Sequence, residues 1–74
     1  MKVKLQRHSF IDNLNWILVY EGIPIGTEYE VLEFHKDITI KNTITGEERL
    51  VNCYFVNGNG DEGFLPTDVF EILH

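Results

Sequence analysis

Val3 and Leu5 are apolar between Lys2, Lys4 and Gln6, an alternation that predicts a strand with one buried face. The same alternation returns over residues 28–34, where Tyr29 and Val31 oppose Glu28 and Glu30. Leu32 and Phe34 share the glutamate side, so the second half of that strand is expected to be covered on both faces. His35-Lys36-Asp37 reads as a turn, and Ile38 and Ile40, between Thr39 and Lys41, as a further short strand. Thr45-Gly46-Glu47 is a hairpin signal. Residues 49–56 are the most regular strand, with Val51, Cys53 and Phe55 opposite Leu50, Asn52, Tyr54 and Val56. Two Asn-Gly pairs at 57–60 supply tight-turn chemistry, because these residues accept positive φ.

Two stretches break the alternation. In residues 9–20, Ser9-Phe10-Ile11-Asp12 has the form of a capping box, and Phe10, Ile11, Leu14, Ile17 and Leu18 fit one helical face. The run from Trp16 to Tyr20 is aromatic and β-branched, which favours a strand. The pattern predicts a turn or short helix over 9–14 and a strand over 15–20. Glu21-Gly22-Ile23-Pro24-Ile25-Gly26 is a turn, with Pro24 biasing Ile23 toward an extended backbone. Near the end, Gly63-Phe64-Leu65 is a strand stopped by Pro66, which has no N–H for a ladder. Thr67-Asp68-Val69-Phe70 suits a single tight helical turn, and Phe70 and Ile72 then alternate about Glu71 as a closing strand.

Gly63, Phe64, Leu65, Pro66 and Phe70 together resemble the end of the Src homology 3 family: a glycine-aromatic-aliphatic-proline strand, a polar pair, one helical turn and a last aliphatic strand. Gly26-Thr27-Glu28-Tyr29-Glu30-Val31-Leu32 looks like the second strand of that family. The implied fold is all-β: a small Src homology 3-like barrel of five or six short antiparallel strands, with one short helical turn near the C-terminus. The extra strand at 38–41 suits the broader barrel type found in bacterial and phage domains. The predicted core is Val3, Leu5, Leu18, Tyr29, Val31, Ile40, Val51, Cys53, Phe55, Leu65, Phe70 and Ile72. The family's peptide-binding pattern is thinned. The strand after the second loop reads Arg49-Leu50-Val51-Asn52-Cys53 where a tryptophan is expected, and Val69 stands in place of the groove tyrosine.

Seventy-four residues make one domain, 1–74, with 43% apolar residues for a core. A single cysteine excludes an intrachain disulfide, and Cys53, in an apolar strand, reads as a small buried hydrophobe; a reducing, cytoplasmic setting is expected. No apolar run approaches the roughly 20 residues of a helical membrane span, and no apolar segment of a secretory signal follows the basic first residues. Starting with Met1 and ending in its closing strand, the chain reads as a free-standing small acidic protein of the sort associated with phages and mobile elements. Six basic residues against twelve acidic give a net charge of −6, which opposes electrostatic nucleic-acid binding and suits a basic partner.

Catalytic and metal chemistry find little footing. His8, His35 and His74 are dispersed, and no metal-ligand spacing or phosphate-cradling glycine loop is present. Asn57, Asn59 and Asp61 alternate as oxygen ligands do in calcium loops, but Glu62 occupies the place of the required glycine. No cofactor or metal is expected. The chemistry points to a non-catalytic protein-protein interaction module, with the aromatic residues as its anchors. The rival readings are a nucleic-acid-facing barrel that stacks bases on aromatics and a small enzyme or metal protein. Carried over from the family, Phe64 and Pro66 floor a ligand groove; Trp16 and Tyr20 of the long first loop are placed to complete it, with Trp16 as a plug packed across one open end of the barrel as the alternative, and Glu21 and Asp12 add negative charge. A homo-oligomer is the second partner hypothesis, since spare aromatics and edge strands gain from burial against another copy.

Overall fold

The structure is a computed structural model that describes residues 1–74 except 13, 14 and 59. Strands β1 (Lys2–Leu5), β2 (Glu28–Lys41), β3 (Glu48–Gly58), β4 (Asp61–Pro66) and β5 (Phe70–Leu73) form one antiparallel sheet in the order β4-β3-β2-β1-β5. One 3₁₀ turn, Thr67–Val69, links β4 to β5. The chain is therefore all-β, and its five-stranded sheet is open, with β4 and β5 as its edges. Among the described residues no helix is long and apolar enough to cross a membrane.

The alternation in β1 is realised: Val3 and Leu5 are fully buried. Each contributes about 1.5–3 kcal/mol relative to an exposed position. They meet Tyr29 of β2, Val56 of β3, Val69 of the 3₁₀ turn, Phe70 of β5 and Val19 of the loop between β1 and β2. Tyr29 packs edge-on to Phe70 at 5.7 Å between ring centroids. The ring of Tyr29 passes over Gly58, where a Cβ would come within 2.5 Å of Tyr29 Cδ1.

Five strands form rather than six. The turn expected at residues 35–37 and the separate strand expected at 38–41 are both absorbed into the fourteen-residue β2. Its pairing with β3 slips between His35 and Ile38, and again between Val31 and Glu33. Asp37 takes the left-handed φ of 59° at the first of these irregularities, and its N–H donates to Asn52 Oδ1 at 3.4 Å. Such bulges bend a strand without ending it. The tip of the β2–β3 hairpin is tied by buried Asn42, whose Oδ1 accepts from the N–H groups of Ile44 and Thr45 at 2.9 and 3.1 Å.

Residues 6–27 form a long loop; a turn at residues 11–12 falls within the 9–14 stretch where the pattern predicts a turn or short helix, and among the described residues the strand expected over 15–20 does not form. Leu14, one of the expected helical-face residues, lies outside the described residues, as does Asn59 of the tight turn. The sole ladder element here is an isolated bridge between Ser9 and Ile17. Asn15 at φ 65° redirects the chain before Trp16. Phe10, Trp16 and Val19 turn inward while Ile11 and Ile17 stay exposed, a spacing that satisfies neither period. The loop is pinned at its base by Gln6 N–H to Val69 O and Gly26 N–H to Leu5 O. His8 Nε2 lies 2.6 Å from Ile23 O, and since a carbonyl only accepts, that nitrogen carries the proton.

Of the predicted core, Val3, Leu5, Tyr29, Cys53 and Phe70 are buried. Leu18, Val31 and Leu65 pack at its margin. Ile40, Val51 and Phe55 are half-buried. Ile72 is exposed, because β5 is an edge with nothing beyond it. The bulge at Leu32 sets Val31 opposite Val56, so Val56 enters the main cluster and the expected face of β3 does not.

Candidate functional site

A concavity of about 460 Å³ opens where three elements meet: the loop at Phe10, Ile11 and Asp12, β3 from Arg49, and the β4–3₁₀ junction at Pro66. Local chemistry builds each wall. Pro66 ends the β4 ladder and is buried, and Asp68 sits in the turn that follows. Ile11 is 77% exposed, an aliphatic side chain held at the surface by its inward-facing neighbour Phe10.

Arg49 organises this surface. Its guanidinium lies 5.0 Å from the ring centroid of Phe10 and 5.0 Å from that of Trp16. The two rings meet edge-on at 5.8 Å and 72°. Arg49 Nη1 also donates to Asp12 Oδ2 at 3.0 Å. The planar cation is thus fixed by two aromatic faces and a carboxylate, which orders a side chain that is otherwise rich in rotamers. Asp68 stands on the far rim, 4.0 Å from Arg7. The groove carries two carboxylates against one guanidinium, over an apolar floor of Phe10, Ile11, Val51 and Pro66.

The five residues singled out from sequence are dispersed. Pro66 lines the groove. Trp16 is 1% exposed beneath Arg49, so a ligand in the groove meets Arg49 rather than the indole; among the described residues its Nε1–H has no hydrogen-bond partner. Tyr20 and Glu21 are exposed in the turn closed by Ile23 N–H to Tyr20 O, and the Tyr20 ring lies against Gly22. Phe64 is 53% exposed on another surface. There it contacts Phe55 at 4.8 Å and the His35 ring at 4.9 Å, and His35 Nε2 is 2.8 Å from Glu33 Oε2. Glu33, Phe55 and Phe64 are successive cross-strand partners, so they share one sheet face.

Phe10, Ile11, Arg49 and Asp68 were not among the residues singled out as site residues. The available signal was Arg49 itself, a cation opening an apolar strand in an acidic chain. Asp12, expected to supply negative charge, does so at the groove rim. Burial pushes the Cys53 thiol above its ordinary value, away from the thiolate that nucleophilic chemistry uses. Among the described residues no group of three or more His, Cys, Asp or Glu is placed to hold a metal ion. No family model, curated protein or solved structure matches the chain.

Proposed function

We propose that this chain is a non-catalytic protein-binding module of Src homology 3-like type, whose groove takes an extended peptide carrying an apolar side chain beside a lysine or arginine. The observation that carries the reading is the groove itself: an exposed Ile11 and a proline floor, flanked by Asp12 and Asp68, with Arg49 held rigid between two rings. The order of β4, 3₁₀ turn and β5, and the long loop folded back over β3, support the Src homology 3-like part of the reading. The net charge of −6 favours a basic partner over an acidic one.

Selection from a displayed random-peptide library tests this. Enriched peptides are expected to pair an apolar anchor with a basic residue. Ile11→Asp should weaken their binding by about 30-fold, the effect of losing an anchor contact of about 2 kcal/mol. Asp68→Asn should weaken it at low salt and little at high salt. Selected peptides that bind Ile11→Asp at full strength, or that lack any basic preference, would overturn the reading.

A further inference from the structure

A second, smaller cavity of about 170 Å³ lies at the opposite end of the core, beside the start of β4. Residues 61, 63 and 65 alternate onto one face of that strand. Leu65 packs against the core, Gly63 leaves a gap, and Asp61 stands at the mouth. The gap is real space: a Cβ built on Gly63 meets no atom within 4 Å. Ile23, Val56 and Leu65 supply apolar walls.

Tyr29 is the polar group of this cavity. The residue is 7% exposed and lines the space, and its hydroxyl opens to solvent there, since among the described residues the fully buried side-chain polar atom without a partner is Trp16 Nε1 and not Tyr29 Oη. The carboxylate of Asp61 acts on that hydroxyl: after burial, it is the second cause that raises the Tyr29 pKa, so the phenol stays protonated. Neither Asp61 nor Glu62 at the rim enters an ion pair among the described residues. A hydroxyl open to the cavity, a carboxylate outside any ion pair and an apolar shaft form a complementary set for one kind of group.

The geometry points to a site for a primary alkylammonium, with the alkyl stem against Ile23, Val56 and Leu65 and the ammonium donating to Tyr29 Oη and the Asp61 carboxylate. The cavity, about 170 Å³, has room for the stem and nitrogen of a lysine side chain. The ligand is a lysine of a partner or a free alkyl diamine; both present the same chemistry. The site shares no lining residue with the groove and stands independently of the proposed module function.

The test is titration of the ¹⁵N-labelled protein, observed at the amides of Asp61 and Gly63. The probes are Nα-acetyl-lysine methylamide, 1,5-diaminopentane and the uncharged Nα-acetyl-norleucine methylamide. Saturable shifts are expected with both ammonium probes and none with norleucine. Tighter binding of the capped lysine assigns the site to a protein side chain, and tighter binding of the diamine to a free amine. Asp61→Asn, a surface change, should weaken binding about tenfold or more. Gly63→Val should fill the gap and abolish binding while keeping a dispersed spectrum. Absence of saturation by either ammonium in the millimolar range, equal binding of norleucine, or full-strength binding by folded Asp61→Asn would overturn the assignment. Ile11→Asp should leave these titrations unchanged, which separates a failure here from a failure of the groove.

Discussion

Replacing Trp16 with alanine and with phenylalanine separates two effects that meet in one side chain. Among the described residues Trp16 is the largest fully buried side chain, at 1% exposure, and its indole N–H has no partner. Truncation of a buried aromatic to alanine costs about 3–5 kcal/mol. A domain of 74 residues has about 4–11 kcal/mol of total stability, so Trp16→Ala should leave the chain marginal or unfolded. Phenylalanine removes three ring atoms, a loss of about 2 kcal/mol. It also removes an unsatisfied buried donor, which restores about 1–3 kcal/mol. A ring face remains for Arg49 and an edge for Phe10, so the net change should lie within about 1 kcal/mol. Urea denaturation followed by far-UV circular dichroism reads both variants. With a slope of about 1 kcal/mol/M, Trp16→Phe should move the midpoint by no more than about 1 M, and Trp16→Ala by about 3 M or more. A Trp16→Phe variant as unstable as Trp16→Ala would refute the orphaned donor. A Trp16→Ala variant of near wild-type stability would refute its place in the core.

Gly58→Ala should destabilise by about 1–3 kcal/mol, because the new methyl overlaps the Tyr29 ring and lies 3.2 Å from Glu28 O; an unchanged denaturation midpoint would contradict that packing. Stability should also decline in alkali. Burial raises the pKa of Cys53 above 9.0 and that of Tyr29 above 10.0, so in both cases the fold favours the protonated form. That preference is fully present below the unfolded values and is lost as pH climbs through the folded ones, so the decline should begin above about pH 9. Chemical denaturation across pH 7 to 11 checks it; Cys53→Val should delay the onset, and a midpoint that rises over this range would show the sign to be wrong.

The parts of the fold legible in the sequence are those set by local chemistry. Val3 and Leu5 declare β1, Pro66 stops β4, and residues 67–70 are too few for anything but a tight turn. What was not legible depends on partners distant in sequence. Lys36 and Asp37 have turn-like composition, and only pairing with β3 converts them into a bulge within a longer strand. Phe10 and Trp16 follow no period because they pack on Arg49 from a loop, and the ion pair of Arg49 with Asp12 spans 37 positions. The groove was legible to that extent: its proline and one carboxylate could be named in advance. Its cation was visible as a charge opening an apolar strand, but its role was not, since an arginine there reads as a solvated residue until its neighbours are known. Phe64, expected on the groove floor, stands apart from this concavity because alternation along β4 turns that ring toward Phe55 and His35.

The position of β1 between β2 and β5 has a consequence for the order of folding. Val3 is registered against Ile72, and Leu5 against Phe70. During synthesis the first strand therefore waits for one of its two neighbours until almost the whole chain has emerged, while the β2–β3 hairpin can assemble from adjacent sequence well before. Closing so long a segment is entropically slow, and native contacts reward it only when it is complete. Val3, Leu5 and Tyr29 remain without the wall made by Val69 and Phe70 for that interval, and the nascent chain is then most open to mispairing at β1.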